Sequence, residues 1–349
     1  MNTGVAMTAQ NKRIGAARRG VALVAALAVL NGCAAGGGLN TQSSRIGSDD
    51  GSDSCRPQLV ALDSTGDFYG ESILKGAVIG GLLGAATGAL ISKDAKGAAI
   101  GAAAGVAAGA AAGYWSALRQ QQQDQAGMFT QVQGDLTREN AQIDKTQLAF
   151  DQLMDCRFRQ ARMINDSYTA HQIDRTTAVA QMAVVRQHAQ RDLALAKQID
   201  TQIAQRGQQF DVAADNLAPS STPAFVSAEA VPAKPATVRR AGTLKLRPDP
   251  AAPDIGQVAA KEPVKVTVKR GDYALVETGA GVRGYTPVSD LQQGNGSRSV
   301  PVSVPSAPAV SNGSDVRTLD GSNAARRDAF SQSVAVSQTA VASGFEVAG

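Results

Sequence analysis

The sequence predicts an α+β multidomain chain in which two helical hairpins precede a small β domain, joined by disordered linkers and ending in a disordered tail. Three observations predict it. Glycine recurs at every fourth position in two runs, Gly76, Gly80, Gly84 and Gly88, then Gly97, Gly101, Gly105, Gly109 and Gly113. All 13 prolines lie at Pro57 or from Pro219 onward, and the proline-free run between them is rich in Ala, Gln and Leu, which is helical chemistry. From Thr243 to Leu291 short apolar alternations are separated by turn residues, which is strand chemistry.

Residues 1–32 read as a targeting segment. Lys12, Arg13, Arg18 and Arg19 form a basic start, and Val21–Leu30 is an apolar run too short to span a bilayer and suited to the core of a signal peptide. Leu30, Asn31, Gly32 and Cys33 follow, and they resemble the lipobox of bacterial lipoproteins. The resemblance implies cleavage before Cys33 and acylation of that residue. Ala34, where an inner-membrane retention signal has Asp, implies outer-membrane sorting. Two or three acyl chains anchor a protein stably without further help. An ordinary signal peptide with a chance cysteine is the alternative. The whole chain has 34 basic and 30 acidic residues, but cleavage removes four basic and no acidic ones, leaving the two balanced. The high pI of 9.0 therefore gives no reason to expect nucleic acid as a partner.

Residues 33–72 read as a tether, being rich in Gly, Ser and Asp at their start. Cys55 and Cys156 are the two thiols left after Cys33. An intrachain disulfide, an intermolecular one and two unpaired thiols all remain open. If Trp115 to Cys156 were one helix it would run about 60 Å, close to the full reach of the chain from Cys55 to Ile73. No His stands at a ligand spacing from either Cys, so neither a metal nor any other cofactor is expected.

Residues 73–115 carry the glycine runs. Four residues advance a helix by roughly 400°, so each run lines its glycines along one stripe where a second backbone can approach closely. Ile73–Ile91 and Gly97–Trp115 are each about 28 Å long as helices, near the ~30 Å of a hydrocarbon core, and Ser92–Lys96 is a polar turn between them. The reading is a transmembrane hairpin, with Phe68, Tyr69, Tyr114 and Trp115 as an aromatic belt at one interface. The second arm is nearly all Ala and Gly and so only weakly hydrophobic. A flexible linker or a helical pair in water is the competing reading. The stretch resembles the glycine-zipper families of bacterial outer-membrane lipoproteins and surface antigens.

Residues 116–217 predict a long antiparallel coiled-coil hairpin with arms of about 45 residues. One seven-residue seam runs through Phe129, Leu136, Ile143 and Phe150, with Val132 and Leu153 beside it. The other runs through Met182, Ala189, Ala196, Ile203, Phe210 and Leu217, with Val185 and Ile199. Asp174 is placed to cap the second arm. Glu139, Thr146, Asp192 and Arg206 interrupt the flanks of the seams, which weakens the isolated hairpin and favours partners, including other copies.

Residues 218–240 read as a Pro, Ser and Ala-rich linker and 293–349 as a disordered tail. Between them, 241–292 gives short strands at Leu244–Arg247, Ile255–Val258, Val264–Val268, Gly271–Tyr273, Val276, Gly284–Tyr285 and Leu291. This succession resembles the bacterial Src-homology-3 (SH3-like) domain, a small β-barrel, with Tyr273 and Tyr285 where Trp is common. The resemblance implies binding of a cell-wall peptide or a protein, with Tyr273 and Tyr285 either on the ligand surface or in the barrel core. Gly279, Gly281 and Gly284 satisfy GxGxxG, but no helix pattern follows them, so they do not predict a dinucleotide site. Arg270-Gly271-Asp272 reads as a tight turn. His171 and His188 read as residues on polar helix faces.

These readings predict a protein that is not an enzyme. It is a scaffold lipid-anchored in the outer membrane, facing the periplasm, that binds peptidoglycan or an envelope protein and associates with itself. The alternative is an oligomeric pore or secretion conduit built from the glycine-rich helices.

Overall fold

The computed structural model describes residues 42–69, 113–120, 124–219, 232–293, 300–301 and 315–347. Residues 1–32, Cys33 and the glycines from Gly76 to Gly109 lie outside the described residues, so the lipobox and nearly all of the glycine pattern do too. The chain divides into two compact units, Met1–Ser52 and Asp53–Gly349. In the first, α1 (Gln42–Ile46) is followed by Asp49 and Asp50, whose carboxylates accept from the amides of Gly51 and Ser52.

The second unit is built on helices. These are α2 (residues 56–69), α3 (residues 113–120), α4 (Gln125–Thr169), α5 (Arg175–Leu217) and α6 (Val316–Gly344). The arms α4 and α5 have 45 and 43 residues. Ion pairs from Arg206 to Glu139 near one end and Arg157 to Asp192 near the other run them antiparallel. The anticipated seams are buried: Leu136, Ile143, Phe150, Val132 and Leu153 on α4, and all eight named positions on α5. Asp124, Asp174 and Asp315 cap α4, α5 and α6, each accepting the amide of the third residue on.

Three expectations are corrected by this bundle. Residues 56–69 are helix rather than tether, because Cys55, Leu59, Leu62 and Tyr69 recur at helical spacing and bury one face against α4 and α5. Pro57 sits in the first turn, where its missing amide costs nothing. The tail expected to be disordered holds α6, parallel to α4 through Phe150 on Phe330 and Phe158 on Phe345, and antiparallel to α5 through Asp211–Arg327. Its buried positions Val316, Leu319, Asn323, Arg326, Phe330, Val334, Ser337 and Val341 keep a three-and-four spacing. Polar residues at three of them hide the period from a hydrophobicity reading. The aromatic belt is also dissolved. Tyr69 is buried, and Tyr114 and Trp115 pack on the cluster of Leu118, Val132, Leu136, Phe210, Leu217, Val316 and Leu319.

The β segment forms one antiparallel sheet. Its strands are β1 (Lys234–Val238), β2 (Gly242–Lys245), β3 (Asp254–Val258), β4 (Pro263–Arg270), β5 (Tyr273–Thr278), β6 (Arg283–Pro287), β7 (Leu291–Gln293) and the two-residue β8 (Val300–Pro301). The order is β3-β2-β6-β5-β4-β1-β7-β8, so the sheet is open rather than the closed barrel expected. Helices cover part of it instead: the backbone of Ile255 on edge strand β3 lies against Gly344 at the end of α6. The linker expected over 218–240 is corrected at β1, which pairs with β4 at Ala236↔Val264 and with β7 at Val238↔Leu291. Arg247 reaches Asp151 and Asp155 on α4, and Arg270 reaches Asp328 and Gln332 on α6, fixing the sheet to the bundle.

Candidate functional site

The polar residues that interrupt the seams mark where α2 and α3 join the bundle. Glu139 and Thr146 continue the column of Val132 and Leu153 on α4, while Asp192 and Arg206 continue that of Val185 and Ile199 on α5. Each therefore points inward by the same periodicity as its apolar neighbours. Arg206 Nε donates to both carboxylate oxygens of Glu139 at 3.0 Å, and its Nη2 donates to Oε2 at 2.6 Å. Burial pushes the Glu139 carboxyl above its usual range, and Arg206 opposes the shift.

The same guanidinium lies between two rings. Its Cζ is 5.2 Å from the ring centre of Phe68 at the end of α2 and 5.8 Å from that of Phe210 on α5. Phe210 in turn meets Tyr114 of α3, with ring centres 5.2 Å apart. Tyr69 stands edge-on to Phe68 and shares a 3.4 Å hydrogen bond with Thr146. The Tyr114 hydroxyl donates to Asp135 on α4 at 2.7 Å. Burial raises the pKa of both tyrosines, so both stay neutral. The chain thus enters residues 70–112 and leaves them at one end of the bundle, with Phe68 and Tyr114 linked through Arg206 and Phe210.

The other end of α2 is fixed by covalent and ionic bonds. Cys55 and Cys156 form a disulfide closing a separation of 101 residues. Helix α2 runs alongside α4, so the extended reach that made the bridge doubtful is not needed. The neighbours of both cysteines pair as well. Arg157, wholly buried, donates through Nη1 and Nη2 to Asp53 at 2.6 and 2.8 Å and through Nε to Asp192 at 2.6 Å. His188 lies beside this group, its Nδ1 3.5 Å from Arg157 Nη1. Burial works against charge at all three partners. The hydrogen bonds outweigh it at Asp53, which is lowered, and at Arg157, which is raised, while Asp192 stays raised by its burial.

The remaining candidates separate. Gly113, the one glycine of the runs among the described residues, is buried in α3. Tyr285 is 2% exposed and belongs to the sheet core, so it supplies no ligand surface. Tyr273, at the start of β5 opposite Pro287, is half-buried. Gly279 and Gly281 form the β5–β6 turn, Gly281 at φ +79°, and Gly284 lies under Leu244, which accounts for the GxGxxG pattern without a phosphate. Gly271, at φ +57°, turns the chain between β4 and β5. His171 lies in the α4–α5 turn at φ +54° rather than on a helix face. Among the described residues no group of three or more His, Cys, Asp or Glu side chains is placed to hold a metal ion. No helix among them is long and apolar enough to cross a membrane. Comparison of the chain with family models, with curated proteins and with solved structures gives no match.

Helix α2 is bolted to the bundle at its start by Cys55–Cys156 and Asp53–Arg157, and at its end by Phe68 and Tyr69. The signals for the two bolts were the polar residues at inward seam positions and the three-and-four spacing from Cys55 to Tyr69.

Proposed function

We propose that the protein is a non-enzymatic, lipid-anchored scaffold of the cell envelope, held at the outer membrane from the periplasmic side by acylated Cys33 and by the glycine-rich segment, with its β domain binding peptidoglycan or an envelope protein. One observation carries this reading: the bundle grips both ends of residues 70–112 at the same end, through Phe68, Tyr69, Tyr114 and Arg206. Flanking residues held close together are what a membrane-inserted hairpin requires, since both of its ends must return to the same side of the bilayer. The disulfide supports an oxidising compartment.

Because Gly113 and Tyr114 belong to the packed helix α3, the second arm available to lipid runs from Gly97 to residue 112, about 24 Å as a helix against ~30 Å of hydrocarbon. That length suits a hairpin dipping into the membrane and weighs against a water-filled pore of full depth. The β domain keeps the strand succession that resembles the SH3-like domain, and half-buried Tyr273 is the aromatic residue left to it for contact.

Replacing residues 70–112 with a short Gly-Ser loop tests the reading, since adjacent ends can be joined without disturbing the bundle. The loop variant is expected to keep the helical signal and to stay membrane-associated through Cys33. With Cys33→Ala added, it is expected to move to the soluble periplasmic fraction. Retention of that double variant in the membrane, or unfolding of the loop variant, would refute the assignment.

A further inference from the structure

Helix α6 fits its groove in an unusual way. From Val316 to Ser337 every residue is buried or half-buried, yet Asp320, Ser322, Asn323, Arg326, Asp328, Gln332 and Ser337 are among the buried ones. The groove between α4 and α5 matches this helix in charge. Arg326 pairs with Asp144 of α4, and Arg327 and Arg317 pair with Asp211 and Asp215 of α5. These carboxylates are 43–69% exposed, so the pairs sit at the rim, where they fix register more than strength. At the centre, Asn323 donates to Asn140 at 3.0 Å, and Asn140 donates to the carbonyl of Leu319.

The shape is matched too. Gly207, in the interior of α5 where glycine is unfavourable, leaves the space that the Arg327 side chain fills, and a Cβ there would collide with it. The match is incomplete, however. Asp320 Oδ1, Asn323 Oδ1 and Arg327 Nε are buried without a hydrogen-bond partner, as are Gln147 Oε1, on a residue that bonds to Ser333 of α6, and Arg186 Nε, on one that bonds to Phe345 just beyond it. A polar interface with unsatisfied groups is specific but not tight. No cysteine lies in α6, so the disulfide that ties α2 to α4 does not tie this helix.

We propose that the α4–α5 groove is an exchange site that takes α6 from a second copy of this chain, so that the scaffold assembles by trading its C-terminal helix. Every copy carries both the acidic groove with its Gly207 socket and the arginine-bearing helix that fits it. The 13 residues between Pro301 and Asp315 reach about 45 Å when extended, enough for a helix released from one groove to enter a neighbour's. Confinement on a membrane would favour the exchange by raising the local concentration of grooves. The inference does not rest on the membrane reading and can hold where that fails.

The test uses the full mature chain in detergent, with one pool carrying Asn140→Cys and another Asn323→Cys. A disulfide between these positions forms across the pools only if α6 of one chain occupies the groove of another. The expected result on mixing is a band of twice the chain mass that neither pool gives alone, while Asn140→Cys/Asn323→Cys on one chain also forms the bond. A mixture that stays at single mass while the doubly substituted chain closes its bond overturns the proposal. Should the doubly substituted chain not close, Asp211→Arg and Arg327→Asp pools decide. Each is a mismatch with itself and a match for the other, so the mixture is expected to double in mass by light scattering. No doubling overturns the proposal.

Discussion

Removing Arg206 tests the joint at which α2 and α3 meet the bundle. Arg206→Met leaves Glu139, 1% exposed, as a buried carboxylate without its bidentate partner. Breaking a buried pair from one side costs roughly 3–5 kcal/mol. Lost contact with the rings of Phe68 and Phe210 adds about 0.5–1 kcal/mol each. The cost depends on pH with a definite sign. Burial already raises the Glu139 carboxyl, and losing Arg206 raises it further, so the folded state favours the protonated acid. Stability relative to wild type is therefore best kept below the ordinary glutamate pKa and lost as pH rises through the folded-state value. The double variant Glu139→Gln/Arg206→Met has no buried charge and is expected to lie within about 1–2 kcal/mol of wild type. Urea unfolding followed by far-ultraviolet circular dichroism at pH 4.5 and 7.5 measures all three proteins. A loss under about 1 kcal/mol in Arg206→Met at pH 7.5, or a double variant no better than the sum of its single changes, would refute the reasoning.

Replacing Cys55 and Cys156 together by Ser releases a loop of 101 residues, and a loss of about 2–5 kcal/mol is expected in urea unfolding under oxidising conditions, with wild type matching the variant after reduction. Asp320, buried on α6 beside Asp211, Arg327 and Arg317, is pushed up to about 7 by burial first and Asp211 next. Its contribution is complete below the unfolded value of 3.8 and lost as pH rises through about 7, so α6 is expected to exchange amide hydrogens faster at pH 8 than at pH 5.5 after correction for intrinsic rates. Asp320→Asn is expected to flatten that dependence, by an amount on the order of 2–4 kcal/mol. Two glycines give opposite signs. In Gly284→Ala the new Cβ meets Leu244 Cβ at 2.8 Å and Lys245 O at 3.3 Å, and a loss of about 1–3 kcal/mol is expected in thermal melts. Gly134→Ala, with nothing within 4 Å on the exposed side of α4, is expected to stabilise by up to about 1 kcal/mol.

Which segments were legible in the sequence follows from the strength of their periodic signal. The seams of α4 and α5 keep an apolar residue at nearly every seventh position, so Leu136, Ile143, Ile203 and Phe210 named the core, and Asp174 named the cap. Strands β2 to β7 alternated clearly enough to be placed within a few residues. Helix α2 was overlooked because the Gly, Ser and Asp before it and Pro57 within its first turn obscured a short period. Helix α6 was overlooked because Asn323, Arg326 and Ser337 occupy inward positions that a hydrophobicity pattern treats as surface. The polar seam residues Glu139 and Arg206 were noticed, but as weaknesses. A residue's spacing says that it points inward, while its partner lies 67 residues away on another helix.

The sequence by itself determined where α4, α5 and strands β2 to β7 form, since proline placement, seven-residue recurrence and apolar alternation act locally through backbone sterics and the geometry of one helix or strand. It also held the lipobox resemblance and the placement of Cys55 and Cys156. Tertiary structure alone decided that the two cysteines meet, that Tyr69 and Tyr114 turn into the bundle instead of forming a belt, that the sheet stays open and that α6 fills the α4–α5 groove. The physical reason is common to all four. Each depends on a comparison between burying a group against a distant partner and leaving it in water, and that comparison is made only when segments far apart in the chain are brought together.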